Sequence, residues 1–154
     1  MVSCGEVSAT EVLSGRVVSI ADGDPLTMLD FAKRQHKVRI QGIDAPEKKQ
    51  PFGARSRQSL ADMAFSAQAV AECSKRDRYG RLVCKVSVGQ LDVGLEQVRR
   101  GMAWWYRRYQ AELTTEERLT YGAAEKEARS SQVGLWHERG AIAPWDFRAK
   151  RRAQ

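Results

Sequence analysis

The chain is 154 residues long, the usual size of one domain and enough to bury most of the surface its unfolded form exposes. It is 42% hydrophobic and 29% charged, and no uninterrupted apolar run approaches the roughly 18 residues that a membrane span requires. Three cysteines exclude a disulfide-scaffold protein, and a formal net charge of +7 argues for a polyanionic partner such as nucleic acid while saying nothing of fold.

Residues 1–13 are polar, lack sustained periodicity and read as a loose tail. The opening Met1 to Gly5 has no apolar signal core. Its Ser3-Cys4-Gly5 context suits the trimmed end of an exported precursor, with Cys4 as a lipidated first residue, so the expected location is secreted or periplasmic. From Gly15 the pattern is strand-like: Val17, Val18 and Ile20, a turn at Ala21-Asp22-Gly23-Asp24-Pro25, then Leu26 to Leu29. Asp22-Gly23 is a strong hairpin signal. A basic turn over Lys33 to Lys37 leads into a third strand, so that a three-stranded meander fills residues 15–44. That strand, from Val38, has Ile40 and Ile43 on its apolar face and Arg39 and Gln41 on the other, and it ends at Asp44 because Pro46 disfavours helical geometry at Ala45.

After Pro51-Phe52-Gly53 a helix is expected to about Phe65, with Leu60, Met63 and Ala64 inward. Ala69 to Cys73 and Leu82 to Val86 are two further strands, joined by the basic loop Ser74 to Arg81. Cys73 and Cys84 flank this hairpin, and the spacing leaves open both a cross-strand bridge and two reduced thiols. Val93 to Arg100 is a short helix stopped by Gly101. Thr115-Glu116-Glu117 starts the longest helix, with acidic residues where the dipole favours them, and Gly134-Leu135-Trp136 closes it. Trp104, Trp105, Trp136 and Trp145 read as packing residues, Pro144-Trp145 as a C-terminal clasp, and residues 148–154 as a solvated basic tail. Strands first, with helices inserted and appended, is the order of an α+β, mainly β chain built on a small closed barrel.

Three clusters carry chemistry: Asp22-Gly23-Asp24, the group Arg39, Asp44 and Glu47, and Asp77-Arg78-Tyr79-Gly80-Arg81. Each alone reads as turn chemistry or a solvated face. Together they supply what metal-assisted phosphate chemistry needs: carboxylates for a cation, guanidiniums for phosphate oxygens, and a carboxylate to activate water.

These segments, with Gln50-Pro51-Phe52-Gly53, Val98 to Ala103 and Gly134-Leu135-Trp136 following in order, resemble the staphylococcal nuclease-like (thermonuclease) family over roughly residues 15–147. The resemblance implies an OB-type five-stranded barrel with about three helices, spanning a nuclease domain at residues 14–147. It also implies calcium-dependent hydrolysis of DNA and RNA, by an endonuclease that leaves 3′-phosphate products. On this chain it places Asp24, Asp44 and the backbone carbonyl of Ala45 on Ca²⁺, Glu47 as general base, and Arg39 and Arg81 on the phosphate. Asp22, Asp77 and Tyr79 match supporting or substrate-side positions. Pro25 departs from the Thr that relatives carry, and removes an N–H and a hydroxyl beside the metal loop.

The physical reading agrees. Two carboxylates and a carbonyl leave a hard cation room for waters and a phosphate oxygen. Lys75, Arg76 and Arg78, with Lys33, Arg34 and Lys37, form basic loops expected to track a phosphate backbone, and Tyr79 suits base stacking on single-stranded substrate. A monomer is expected. The competing expectation is a catalytically impaired OB-fold module that grips nucleic acid without cutting it.

Overall fold

The computed structural model describes residues 11–153. Five strands build the barrel: β1 (Glu11–Ile20), β2 (Pro25–Asp30), β3 (Gln35–Ile40), β5 (Gln68–Arg76) and β6 (Leu82–Val88). Antiparallel pairing runs β3-β2-β1-β5-β6, and a parallel pairing of Val38–Ile40 with Leu82–Cys84 closes the ring. This is the OB-type barrel. The short strands β4 (Ile43–Asp44) and β8 (Trp104–Trp105) pair with each other outside it, and β7 (Leu91–Asp92) extends β6. Four α-helices follow among the described residues: α1 (Gly53–Ala64), α2 (Val93–Arg99), α3 (Thr115–Ser130) and α4 (Pro144–Arg152).

The alternation read from the sequence fills the barrel. Leu13, Val17 and Ile20 of β1, Leu26 and Met28 of β2, and Ala69, Ala71 and Cys73 of β5 all point inward. β1 serves two neighbours at once at Gly15, which pairs with Asp30 on one side and Ala69 on the other, and its register against β2 shifts between Val17 and Ser19. A Cβ at Gly15 would lie 2.3 Å from the Leu29 carbonyl oxygen. Leu60 of α1, Val98 of α2 and Tyr121 of α3 cap the barrel core. Tyr121 directs its hydroxyl to the Asp92 carboxylate at 2.9 Å. α3 begins in a capping box between Thr114 and Glu117.

The structure corrects several expectations. β1 starts at Glu11, so residues 11–13 belong to the barrel, with Leu13 buried; Cys4 and the rest of the expected tail lie outside the described residues. The strand expected to run on to Asp44 breaks into β3 and β4, because Gly42 turns the chain at φ +72°. The pairing that the spacing left open is a bridge: Cys73 and Cys84 face each other across β5 and β6 and are disulfide-bonded. The expected basic tail is instead the body of α4 as far as Arg152, because Trp145 anchors the helix in an aromatic cluster. Its ring stacks on Tyr106 at 4.7 Å and meets Trp104 edge-on at 5.4 Å.

Candidate active site

The segment from β4 through Glu47 lies against the loop between β1 and β2, and that loop is fixed from beneath by the helices. Gln97 of α2, fully buried, donates from Nε2 to the carbonyls of Gly23 (2.9 Å) and Ser56 (3.1 Å). A Cβ at Gly23 would fall 1.8 Å from Ser56 Oγ, so glycine is required here by close packing against α1 rather than by a hairpin turn. Asp24 follows with its backbone carbonyl accepting from the Ile40 amide (3.0 Å) and its carboxylate accepting from the Ala45 amide (3.1 Å). Pro25 is the first residue of β2, past the last β1 partner, where a proline is accommodated; both Asp24 contacts form despite it.

Asp44 closes the same cluster from β4. Burial, then the charge of Asp44, pushes the Asp24 carboxyl up to about 7, with the Ala45 amide opposing them. Asp44 is also raised by burial, against the opposing pull of Arg148. Asp22, beside Glu47, is raised by partial burial and by the Glu47 charge, and its Oδ1 is buried without a hydrogen-bond partner. Hard oxygen donors crowded and under-neutralised in this way fit a hard divalent cation. Among the described residues no group of three or more His, Cys, Asp or Glu side chains forms a ready-made metal cage. Glu47 stands on the loop after β4, where its amide donates to Gln50 Oε1 at 3.1 Å. Gln50 in turn donates to the Ile142 carbonyl, so the Gln50-Pro51-Phe52-Gly53 segment ties the Glu47 loop to the chain ahead of α4.

Barrel closure brings Arg39 beside the loop that carries Arg81, since Arg39 pairs with Val83 in the parallel ladder. Asp77 organises that loop. Its carboxylate accepts from the amides of Tyr79 (2.9 Å) and Arg81 (3.0 Å) and from Arg81 Nε (2.8 Å), and it lies 3.8 Å from Arg39 Nε. Partial burial raises the Asp77 carboxyl, but the Arg81 amide and guanidinium and the Tyr79 amide outweigh it and hold the group below the usual carboxylate range. Arg39 is buried, and its Nη1 has no hydrogen-bond partner. Tyr79 is 70% exposed, with Arg78 and Arg81 over its ring at 5.2 and 5.6 Å.

The charged side chains of these segments and Tyr79 line one cleft of about 1080 Å³, with Lys75, Arg107 and Arg152 adding basic walls. The catalytic, metal and substrate-side candidates chosen from the sequence reach it: Asp24, Asp44, Ala45, Glu47, Arg39, Arg81, Asp77, Tyr79, Lys75 and Arg78. Lys33, Arg34 and Lys37 do not. The β2–β3 register places Pro25 opposite Arg39 at the site end, which leaves the basic turn at the far end of the hairpin.

Two residues at the centre were not singled out from the sequence. Glu112, on the 3-10 turn Arg107–Glu112, accepts from Arg39 Nη2 (2.6 Å) and the Gly42 amide (3.0 Å) and pairs with Lys75 Nζ (3.1 Å). Arg148, one turn after Trp145 on α4, donates to both oxygens of Asp44 (3.1 and 2.6 Å) and to Glu47 Oε1 (2.8 Å). The only signal for Glu112 was a lone acid after a basic-aromatic stretch, and Arg148 was hidden in a basic run.

Residues 37–138 match the family described as Staphylococcal nuclease homologue. The chain belongs to this family. It is 36% identical to an uncharacterized endonuclease of Haemophilus influenzae, over 86% of this chain and 71% of that protein. It is 39% identical to Protein ParB of Escherichia coli (88% and 79% covered) and 38% identical to a micrococcal nuclease of Shigella flexneri (87% and 79% covered). Family and relatives together support a nuclease-type hydrolase with nucleic acid as its substrate. No helix among the described residues is long and apolar enough to cross a membrane.

Proposed function

We propose that the chain is a calcium-dependent endonuclease that hydrolyses phosphodiesters of DNA and RNA, favouring single strands. The observation that carries this reading is the convergence on one cleft of the buried Asp44 and half-buried Asp24 carboxylates, Glu47 beside them, and two arginines, one of which keeps a buried Nη1 without a partner. Asp24, Asp44 and the Ala45 carbonyl would hold the ion, which when bound supplies a Lewis acid for a phosphate oxygen. Arg39 and Arg81 hold the phosphate and neutralise charge growing on it, as bidentate guanidiniums do. Glu47 accepts the proton of the attacking water as that water's oxygen bonds to phosphorus. The P–O5′ bond then opens, the leaving O5′ takes its electron pair and a proton from solvent to become a 5′-hydroxyl, and the phosphate stays on the 3′ side. Tyr79 stacks a base beside the cleft, and Lys75 and Arg78 follow the strand.

The chain acts as a monomer in this proposal. The buried Cys73–Cys84 disulfide supports a secreted or periplasmic location, since such bonds persist in oxidising compartments.

The test is cleavage of denatured DNA by the purified chain in calcium, beside EDTA and Glu47→Gln samples. Cutting abolished by both controls establishes the metal-dependent hydrolase. One feature favours the rival reading of grip without cutting: Arg148 already occupies Asp44 and Glu47. Binding with no cleavage at any calcium concentration would turn the conclusion to that module.

A further inference from the structure

Arg148 was not among the residues chosen from the sequence, and it bonds both oxygens of Asp44, an expected ion ligand. Its fork takes both Asp44 oxygens, and its Nη1 is shared with Glu47. The Asp44 side chain is only 9% exposed, whereas Arg148 is 35% exposed. The carboxylate is therefore fixed, and the arginine, at the end of a long side chain on a surface helix, is the partner that can swing away. α4 itself stays in place, because Trp145 is wedged against Tyr106 and Trp104 one turn earlier.

We propose that Arg148 is a built-in counter-cation: it holds Asp44 and Glu47 in the metal-free chain, must release Asp44 for a divalent cation to bind, and so sets the affinity of the site for that cation. The proposal rests on the reading of Asp24 and Asp44 as ligands of the ion. A guanidinium and a divalent cation cannot both take the Asp44 oxygens on the cleft side, since they are like charges competing for the same lone pairs. The released arginine stays in the cleft, where a phosphate is its natural new partner. Arg148 thus works against the cation when no substrate is present and with it when a polyanion can accept the displaced charge. The result is positive coupling between the two ligands. Arg148 is a positioning residue in this scheme. It sets where Asp44 and Glu47 point and when they are available.

The experiment is calorimetric titration of Ca²⁺ into the metal-free folded chain without nucleic acid, for wild type, Arg148→Ala, Arg148→Lys and Asp44→Asn. Arg148→Ala is expected to bind Ca²⁺ at least about tenfold more tightly, the scale of one charge-assisted hydrogen bond. Arg148→Lys should fall between it and wild type, because an ammonium keeps the charge but cannot span two carboxylates. Thermal melts give a second readout: Arg148→Ala should melt below wild type without metal and gain more from added Ca²⁺. A merely structural role would lower the melting temperature without enlarging that gain. Equal or weaker Ca²⁺ affinity in Arg148→Ala, with Asp44→Asn abolishing binding, would overturn the proposal and leave the metal reading standing. No Ca²⁺ binding by any of the four chains would overturn both.

Discussion

At the scale of single residues, the site is a balance of charges held too close together for any one to be comfortable. Arg39 is gripped by Glu112 and lies near Asp77, and Arg81 is gripped by Asp77, so both forks are aimed before substrate arrives. Replacing either by lysine keeps the charge and loses the fork. We expect Arg39→Lys or Arg81→Lys to cost about 3–4 kcal/mol of barrier, a hundredfold or more in kcat, read from initial rates on denatured DNA. Asp24 gives a separate, pH-dependent outcome. Its carboxyl titrates near 3.8 in the unfolded chain and is pushed up to about 7 in the folded one by burial and by Asp44. The folded state therefore binds the extra proton. The stability this lends is fully present below pH 3.8 and is lost as pH rises through about 7. Urea melts of the metal-free chain should show this loss between acidic and neutral pH, Asp24→Asn should lack that part of it, and excess Ca²⁺ should reverse it in wild type.

At the scale of elements, the site depends on pieces that arrive from far along the chain, and this decided what could be read beforehand. Asp44, Ala45 and Glu47 are neighbours in sequence, so a strand ended by Pro46 was enough to group them. Asp77 and Arg81 share one short loop and were equally plain. The distinction of Gly23 was visible but its reason was not, because the Ser56 Oγ that forbids a side chain there belongs to α1. Glu112 and Arg148 were illegible for the same cause: their partners, Arg39 and the Asp44–Glu47 pair, are reached only through tertiary packing. A basic run such as Arg148 to Arg152 is a solvated surface unless an anchor like Trp145 turns one of its members inward. Glu125 is another such hidden joint. Fully buried on α3, it accepts from the Trp105 amide at 2.7 Å and pairs with Arg107 and Arg129, fixing β8 and the start of the turn that ends in Glu112. Glu125→Ala strands the half-buried Trp105 amide and both arginines and is expected to cost about 3 kcal/mol, measured by chemical denaturation. It should weaken catalysis through Glu112 as well, although no atom of Glu125 reaches the cleft.

At the scale of the whole molecule, the barrel came through to the sequence as alternation and order of elements, and its closure did not. Nothing in Val38–Ile40 or Leu82–Cys84 announces that these two strands lie side by side and parallel. The net charge of +7 extends to the cleft, where the lysine and arginines, among them Arg39, Lys75, Arg81, Arg107 and Arg152, outnumber the carboxylates. Affinity of the calcium-free chain for a single-stranded oligonucleotide should accordingly fall steeply with added salt, with a log–log slope of about −0.7 for each phosphate contacted, as fluorescence anisotropy would show. The parallel seam also governs the order of events when the chain is made. Arg39 and Arg81 become neighbours only when the ring shuts across β4, α1 and β5, and pairings so distant in sequence are slow to form. Helices then appear before the cleft does, so recovery of cutting after dilution from denaturant should lag recovery of helical signal. A chain still emerging from the ribosome has its three motifs in hand before it has Glu112, α3 or α4 to assemble them.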